Sequence, residues 1–150
     1  MKGRVAIVGI GNILRGDDGL GPKLIEILKD KHPAMPAGLF DCGTAPENYI
    51  FPILATSCDT VVLIDAADLG MRPGDARVFD LDQISNVSFS THNPSPRLFT
   101  DLLKTGKDNM NIFIVSVQPK TTALGNSISK EVLRGLEILA DVFSDALVNS

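Results

Sequence analysis

Five side chains in this sequence have the chemistry to act together on a metal ion or a proton. Asp17 and Asp18 stand side by side in GIGNILRGDDGLGP (residues 9–22), Asp65 and Asp68 in IDAADLGMRPG (64–74), and His92 in STHNPSP (90–96). Carboxylates combined with an imidazole suit a divalent metal of the first transition row, with charge on the oxygens and borderline softness on the nitrogen. The first stretch opens like a phosphate-cradling glycine loop, but the position of the third glycine holds Leu14. A carboxylate within about 4–6 Å of a pyrophosphate also repels it, so a dinucleotide is disfavoured and no cofactor-binding residue is assigned. Walker A spacing, HExxH, GxSxG and a cysteine nucleophile with a nearby histidine are not found.

Each of these residues has a purely structural account as well. An aspartate at a helix N-terminus commonly caps it, which applies equally to Asp17 and Asp18. Asp65 or Asp68 can form the turn after a strand. His92 in a polar loop can be solvated, and His32, in KDKHP, reads as a helix-terminus residue. What favours chemistry is placement, which depends on the elements that carry these residues.

Val5 to Val8 reads as a short buried strand, and Leu20, Leu24, Ile27 and Leu28 share one face of a helix whose first turn tolerates Pro22. Asp17 and Asp18 therefore fall at or just before a helix N-terminus. A strand over residues 39–42 follows, then a helix over 47–56 that Pro52 interrupts. TVVLI at 60–64 is the clearest buried strand, stopping at Asp65; the next strand, 76–80, is open to an antiparallel direction. A helix from about Ser95 to Lys104, closed by Gly106 at its C′ position, precedes the strand 111–117. The last helix starts at Ser129 and draws its apolar face from Leu133, Leu136, Ile138, Leu139, Val142, Phe143 and Leu147. This order predicts one α/β domain over residues 1–150: a three-layer α/β/α arrangement with a mostly parallel twisted sheet of about five strands and helices on both faces. In the 2-1-3 strand order a ligand sits beyond the carboxyl ends of strands one and three, where these acids lie.

Composition narrows the function further. With 44% apolar and 21% charged residues the chain is an ordinary globular domain. Fourteen Lys and Arg against eighteen Asp and Glu give a net charge of -4 without a basic run, which disfavours nucleic acid. The opening MKGRVAIVGIGN reads as a strand rather than a signal peptide, and no apolar run approaches the roughly 18 residues of a membrane helix, so a cytoplasmic monomer without a membrane partner is expected. Cys42 and Cys58, lacking CxxC spacing, read as small buried hydrophobes of a reducing compartment.

GIGN with GDDGLGP, DCGTAPEN (41–48), IDAADLGMRPG, STHNPSP and IVSVQP (114–119) together resemble the hydrogenase maturation endopeptidases. The resemblance covers nearly the whole chain except the last helix, and the STHN and APEN blocks look most like the branch serving formate-hydrogenlyase-type and related hydrogenases. It implies a nickel-dependent endopeptidase that trims the C-terminal extension from the precursor of a nickel-iron hydrogenase large subunit. It also implies three metal contacts that are the catalytic residues: Asp18, Asp65 and His92. Two carboxylates and one imidazole lack a thiolate, so the nickel is expected to come with the precursor. Two other readings compete: a hydrolase of the same fold with its own metal and another peptide or amide substrate, and a metal-sensing assembly factor that binds without cutting.

Overall fold

The computed structural model describes residues 4–80, 88–89 and 96–149. The chain runs β1 (Val5–Ile10), a 3-10 turn (Gly16–Gly19), α1 (Leu20–Lys31), β2 (Ala37–Gly43), a second 3-10 turn (Pro46–Tyr49), α2 (Ile50–Ala55) and β3 (Thr60–Asp68). It continues through β4 (Ala76–Phe79), β5 (Ser88–Phe89), α3 (Pro96–Gly106), β6 (Asn111–Val117) and α4 (Lys130–Val148). Among the described residues the sheet order is β2-β1-β3-β6-β4, with β5 pairing β3 beside that path. β2, β1, β3 and β6 are parallel, whereas β4 and β5 are antiparallel to β6 and β3. The predicted layers and the 2-1-3 switch between β1 and β3 are both present.

Side-chain alternation assigns the two faces. Val62 and Ile64 of β3, with Ile7, Val115 and Val117, pack under Leu24, Ile25 and Leu28 of α1 and Val132, Leu136, Ala140, Phe143 and Leu147 of α4. Val61 and Leu63, with Val8, Ile10, Ile112 and Ile114, pack under Ile53 of α2 and Phe99 and Leu103 of α3. Because strands flanked by helices on both sides see no water, they read as unbroken apolar runs. Removing any one of these fully buried Leu, Ile or Phe side chains is worth roughly 2–5 kcal/mol. Cys42 and Cys58 belong to the second cluster as buried free thiols.

Several expected boundaries move for identifiable reasons. β3 does not stop at Asp65 but continues to Asp68, because β6 pairs with it through Ala66 and β5 through Ala67 and Asp68. The expected single helix over 47–56 divides into a 3-10 turn and α2, with Pro52 in the first turn of α2, where a missing N–H costs nothing. Gly106 is the last residue of α3 rather than a left-handed C′ residue; a Cβ there would collide with Leu54, so its smallness lets α3 close on α2. In α4, Ile138 and Val142 are exposed, and Val132 and Ala140 take the buried stripe instead. Ser129 is the N-cap of α4, as expected, its hydroxyl accepting from the Val132 N–H at 3.4 Å. His32 ends α1 and pairs with Asp141 of α4 at 3.1 Å.

Candidate active site

At the carboxyl end of β1 the chain must turn sharply enough to bring a helix back over the strand it has just left. Gly11 makes this possible: its φ of +150° is unfavourable for other residues, and a Cβ there would collide with the Asp18 carbonyl. The β1–β2 register shifts at Gly9 and Ile10, a bulge at the rim of the kind that re-aims side chains, and the Gly11 N–H donates to the Gly43 carbonyl at 2.9 Å. The 3-10 turn that follows packs against β3.

The two adjacent aspartates diverge completely. Asp18, only 2% exposed, turns back toward the loop, its Oδ2 accepting from the Asn12 N–H at 3.0 Å. Asp17 is fully buried and makes no cap on its own turn or helix, which corrects the expectation that it would be a helix cap. Its carboxylate instead holds the segment before α4. The Lys120 and Thr121 N–H groups donate to Oδ2 at 2.9 and 3.3 Å, the Ser129 N–H donates to Oδ1 at 2.7 Å, and the Ser129 hydroxyl donates to Oδ2 at 2.8 Å. Removing that carboxylate leaves four partly buried donor contacts unmet, each worth about 1 kcal/mol or more. Asp17→Ala is therefore expected to lower Tm by roughly 10 °C or more in a thermal melt; an unchanged Tm would contradict a clamping role.

Asp65 is the β3 residue that follows the apolar run, and alternation puts it on the face of α2 and α3. It is fully buried, lies in register with Ser116 of β6, and its Oδ1 accepts from the Ala66 N–H at 2.8 Å. Asp68, which spacing did not distinguish from it, is exposed and occupied with its own turn: the Gly70 N–H and the Gln118 Nε2 donate to its Oδ1 at 3.2 and 3.4 Å. Gln118 is a positioning residue that the sequence reading did not single out. Its Oε1 accepts from the Leu69 N–H at 2.6 Å and the Met71 N–H at 3.3 Å, tying the end of β6 to the turn after β3. Its place in IVSVQP, one residue past a strand and before a proline, is the signal that could have found it.

Asp18 and Asp65 thus reach the same sheet end from β1 and β3. His92 lies outside the described residues, as does the rest of 90–95; the chain leaves the described part of β5 at Phe89, opposite Ala67. Among the described residues no three His, Cys, Asp or Glu side chains are grouped as a metal site. Two carboxylates supply hard, negatively charged oxygens, enough to attract a divalent cation but not enough to close its coordination sphere. A cleft of about 460 Å³ opens beside the turn, lined by Ile13, Gly19, Pro22, Lys23, Asp41 and Ile128; neither Asp18 nor Asp65 lines it.

Cys42 stands near the same rim at the end of β2, where burial disfavours the thiolate that a nucleophile needs. Burial, with the Asp41 charge adding to it, pushes its thiol up to about 12, so the reactive thiolate is scarce at neutral pH. Iodoacetamide at pH 8 is expected to leave Cys42 unmodified in the folded protein and to label it only after denaturation, as read by peptide mass; rapid native labelling would contradict this.

The fold recurs in known proteins. The family model HycI, described as hydrogenase maturation protease, matches residues 22–145. Hydrogenase 3 maturation protease of Escherichia coli K12 is 35% identical over 114 residues, covering 73% of this chain and 69% of that protein. The crystal structure of the [NiFe] hydrogenase maturation protease HycI from Thermococcus kodakarensis KOD1 superposes with a TM-score of 0.86 at 30% identity, over 97% of this chain and 92% of that one. The solution structure of the endopeptidase HycI from Escherichia coli gives a TM-score of 0.83 at 28% identity, over 94% and 89% of the two chains.

Proposed function

This chain belongs to the hydrogenase maturation protease family, and on that premise we propose that it removes the C-terminal extension from the nickel-loaded precursor of a nickel-iron hydrogenase large subunit. Peptide-bond hydrolysis is the activity its relatives' names carry. The observation that carries the finer reading is the pairing of two acids, Asp18 and Asp65, buried at the ends of neighbouring β1 and β3, where this fold receives ligands.

In this reading Asp18, Asp65 and His92 bind the nickel that the precursor's own cysteines already hold. The chemistry of the donors supports it, since two carboxylates and one imidazole, without a thiolate, make no dedicated nickel site until a partner brings further ligands. Nickel is then part of the substrate, and it supplies Lewis-acid polarisation of a carbonyl or a water. The chain's contribution is placement. Asp18 is held by the Asn12 N–H, Asp65 by the Ala66 N–H, and the Asp17 clamp keeps the turn that carries Asp18 from moving. Such fixing is worth several kcal/mol of barrier, because the reacting groups no longer search for their geometry. We further propose that the protein acts in the cytoplasm as a monomer. No helix among the described residues is long and apolar enough to cross a membrane.

Incubating the purified protein with loaded precursor and weighing the precursor tests the proposal. A precursor shortened by one C-terminal peptide is expected. A stable complex whose precursor keeps its full mass would identify an assembly factor instead.

A further inference from the structure

Next to Asp65 the sheet carries a row of polar side chains that the metal reading does not use. Asp65 on β3 pairs in register with Ser116 on β6, and Ser116 pairs with Arg77 on β4. Residues directly opposite on neighbouring strands project to the same face, so Asp65, Ser116 and Arg77 stand at one level across three strands. The face is that of α2 and α3: Phe79, two residues from Arg77, is buried there with Ile114, its register partner. Asp65 and Arg77 stand two strand spacings apart, about 10 Å between backbones.

The two members beyond Asp65 are chemically unspent. Ser116 is fully buried, and its hydroxyl makes no hydrogen bond among the described residues. Arg77 is exposed, and no side-chain hydrogen bond or ion pair links it to another described residue. A buried hydroxyl without a partner costs stability that well-packed folds avoid unless a ligand or function uses the place. With the substrate's nickel polarising the attacking water, hydrolysis still needs a positive group where negative charge develops on the carbonyl oxygen, and the two acids do not supply one.

We propose that Arg77 holds the scissile carbonyl oxygen of the precursor, resting on the endopeptidase reading above. Water oxygen adds to the carbonyl carbon, and the π pair moves onto the carbonyl oxygen, where the guanidinium N–H groups receive it. The C–N bond then breaks, the amine takes the proton that the water gave up, and a carboxylate and an amine are left. Because the oxygen is more charged in the transition state than in the bound peptide, Arg77 acts on kcat more than on KM.

The test is a steady-state series on loaded precursor with the wild-type chain, Arg77→Ala and Arg77→Lys. Arg77→Ala is expected to lower kcat about 100-fold with KM within about threefold of wild type, Arg77→Lys to recover part of that loss, and both to melt within a few degrees of wild type. An exposed arginine on an edge strand also guards that edge against pairing. If that were its role, Arg77→Ala would cut at the wild-type rate, and this outcome, or a change in KM alone, would overturn the proposal. Wild-type protein that fails to cut would instead sink the endopeptidase reading, and this inference with it.

Discussion

Asp65→Asn and Asp18→Asn are each expected to reduce cleavage of loaded precursor by at least about 10³-fold while the protein still folds. The amide keeps the shape and the acceptor oxygen that the Ala66 or Asn12 N–H uses, so the local hydrogen bond survives. What disappears is the negative charge, which is the part that attracts a cation and fixes its approach. A loss of several kcal/mol from a buried ionic contact corresponds to three or more powers of ten in rate. His92→Ala is expected to behave in the same way. A parallel thermal melt separates this from unfolding, and the contrast is internal: Asp17, one residue from Asp18, is lost at the expense of the fold. Full cleavage by Asp65→Asn would remove that residue from the site.

That contrast marks the boundary of what the sequence could convey. The order of elements was legible because strands buried on both faces are unbroken apolar runs, TVVLI most clearly, and because α1 repeats its apolar residues at helical spacing. The corner between β1 and α1 was legible from its glycines. Asp17 and Asp18 were not separable, because the distinction is made by Lys120, Thr121 and Ser129, more than a hundred residues away along the chain. The resemblance of GDDGLGP to a known family, not its spacing, selected Asp18.

Asp65 and Asp68 were inseparable for a different reason. Which face an acid occupies depends on how far the strand continues, and β3 continues because β5 and β6 pair with its end. The same holds for Arg77, whose level beside Ser116 is set by an antiparallel register that no local pattern announces. Helix boundaries failed at Pro52, which the first turn of α2 accommodates, and at Gly106, where the contact with Leu54 of α2 overrode the usual punctuation.

Stripping nickel from the precursor is expected to slow cleavage by at least about 100-fold, and restoring nickel to recover it. The described carboxylates offer only part of a coordination sphere, so affinity for the substrate depends on what the metal adds. Magnesium is not expected to substitute, because it prefers an all-oxygen octahedron and holds its waters, whereas the precursor offers thiolates. Loss of this single contact is worth about 3 kcal/mol if cleavage falls 100-fold.

The most direct measurement is the intact mass of the large-subunit precursor after incubation with the protein, taken in parallel for nickel-loaded and nickel-stripped samples. The account predicts that the loaded precursor alone is replaced by one lighter species together with a single released C-terminal peptide. Equal trimming of both samples, or an unchanged mass in the loaded one, would contradict it.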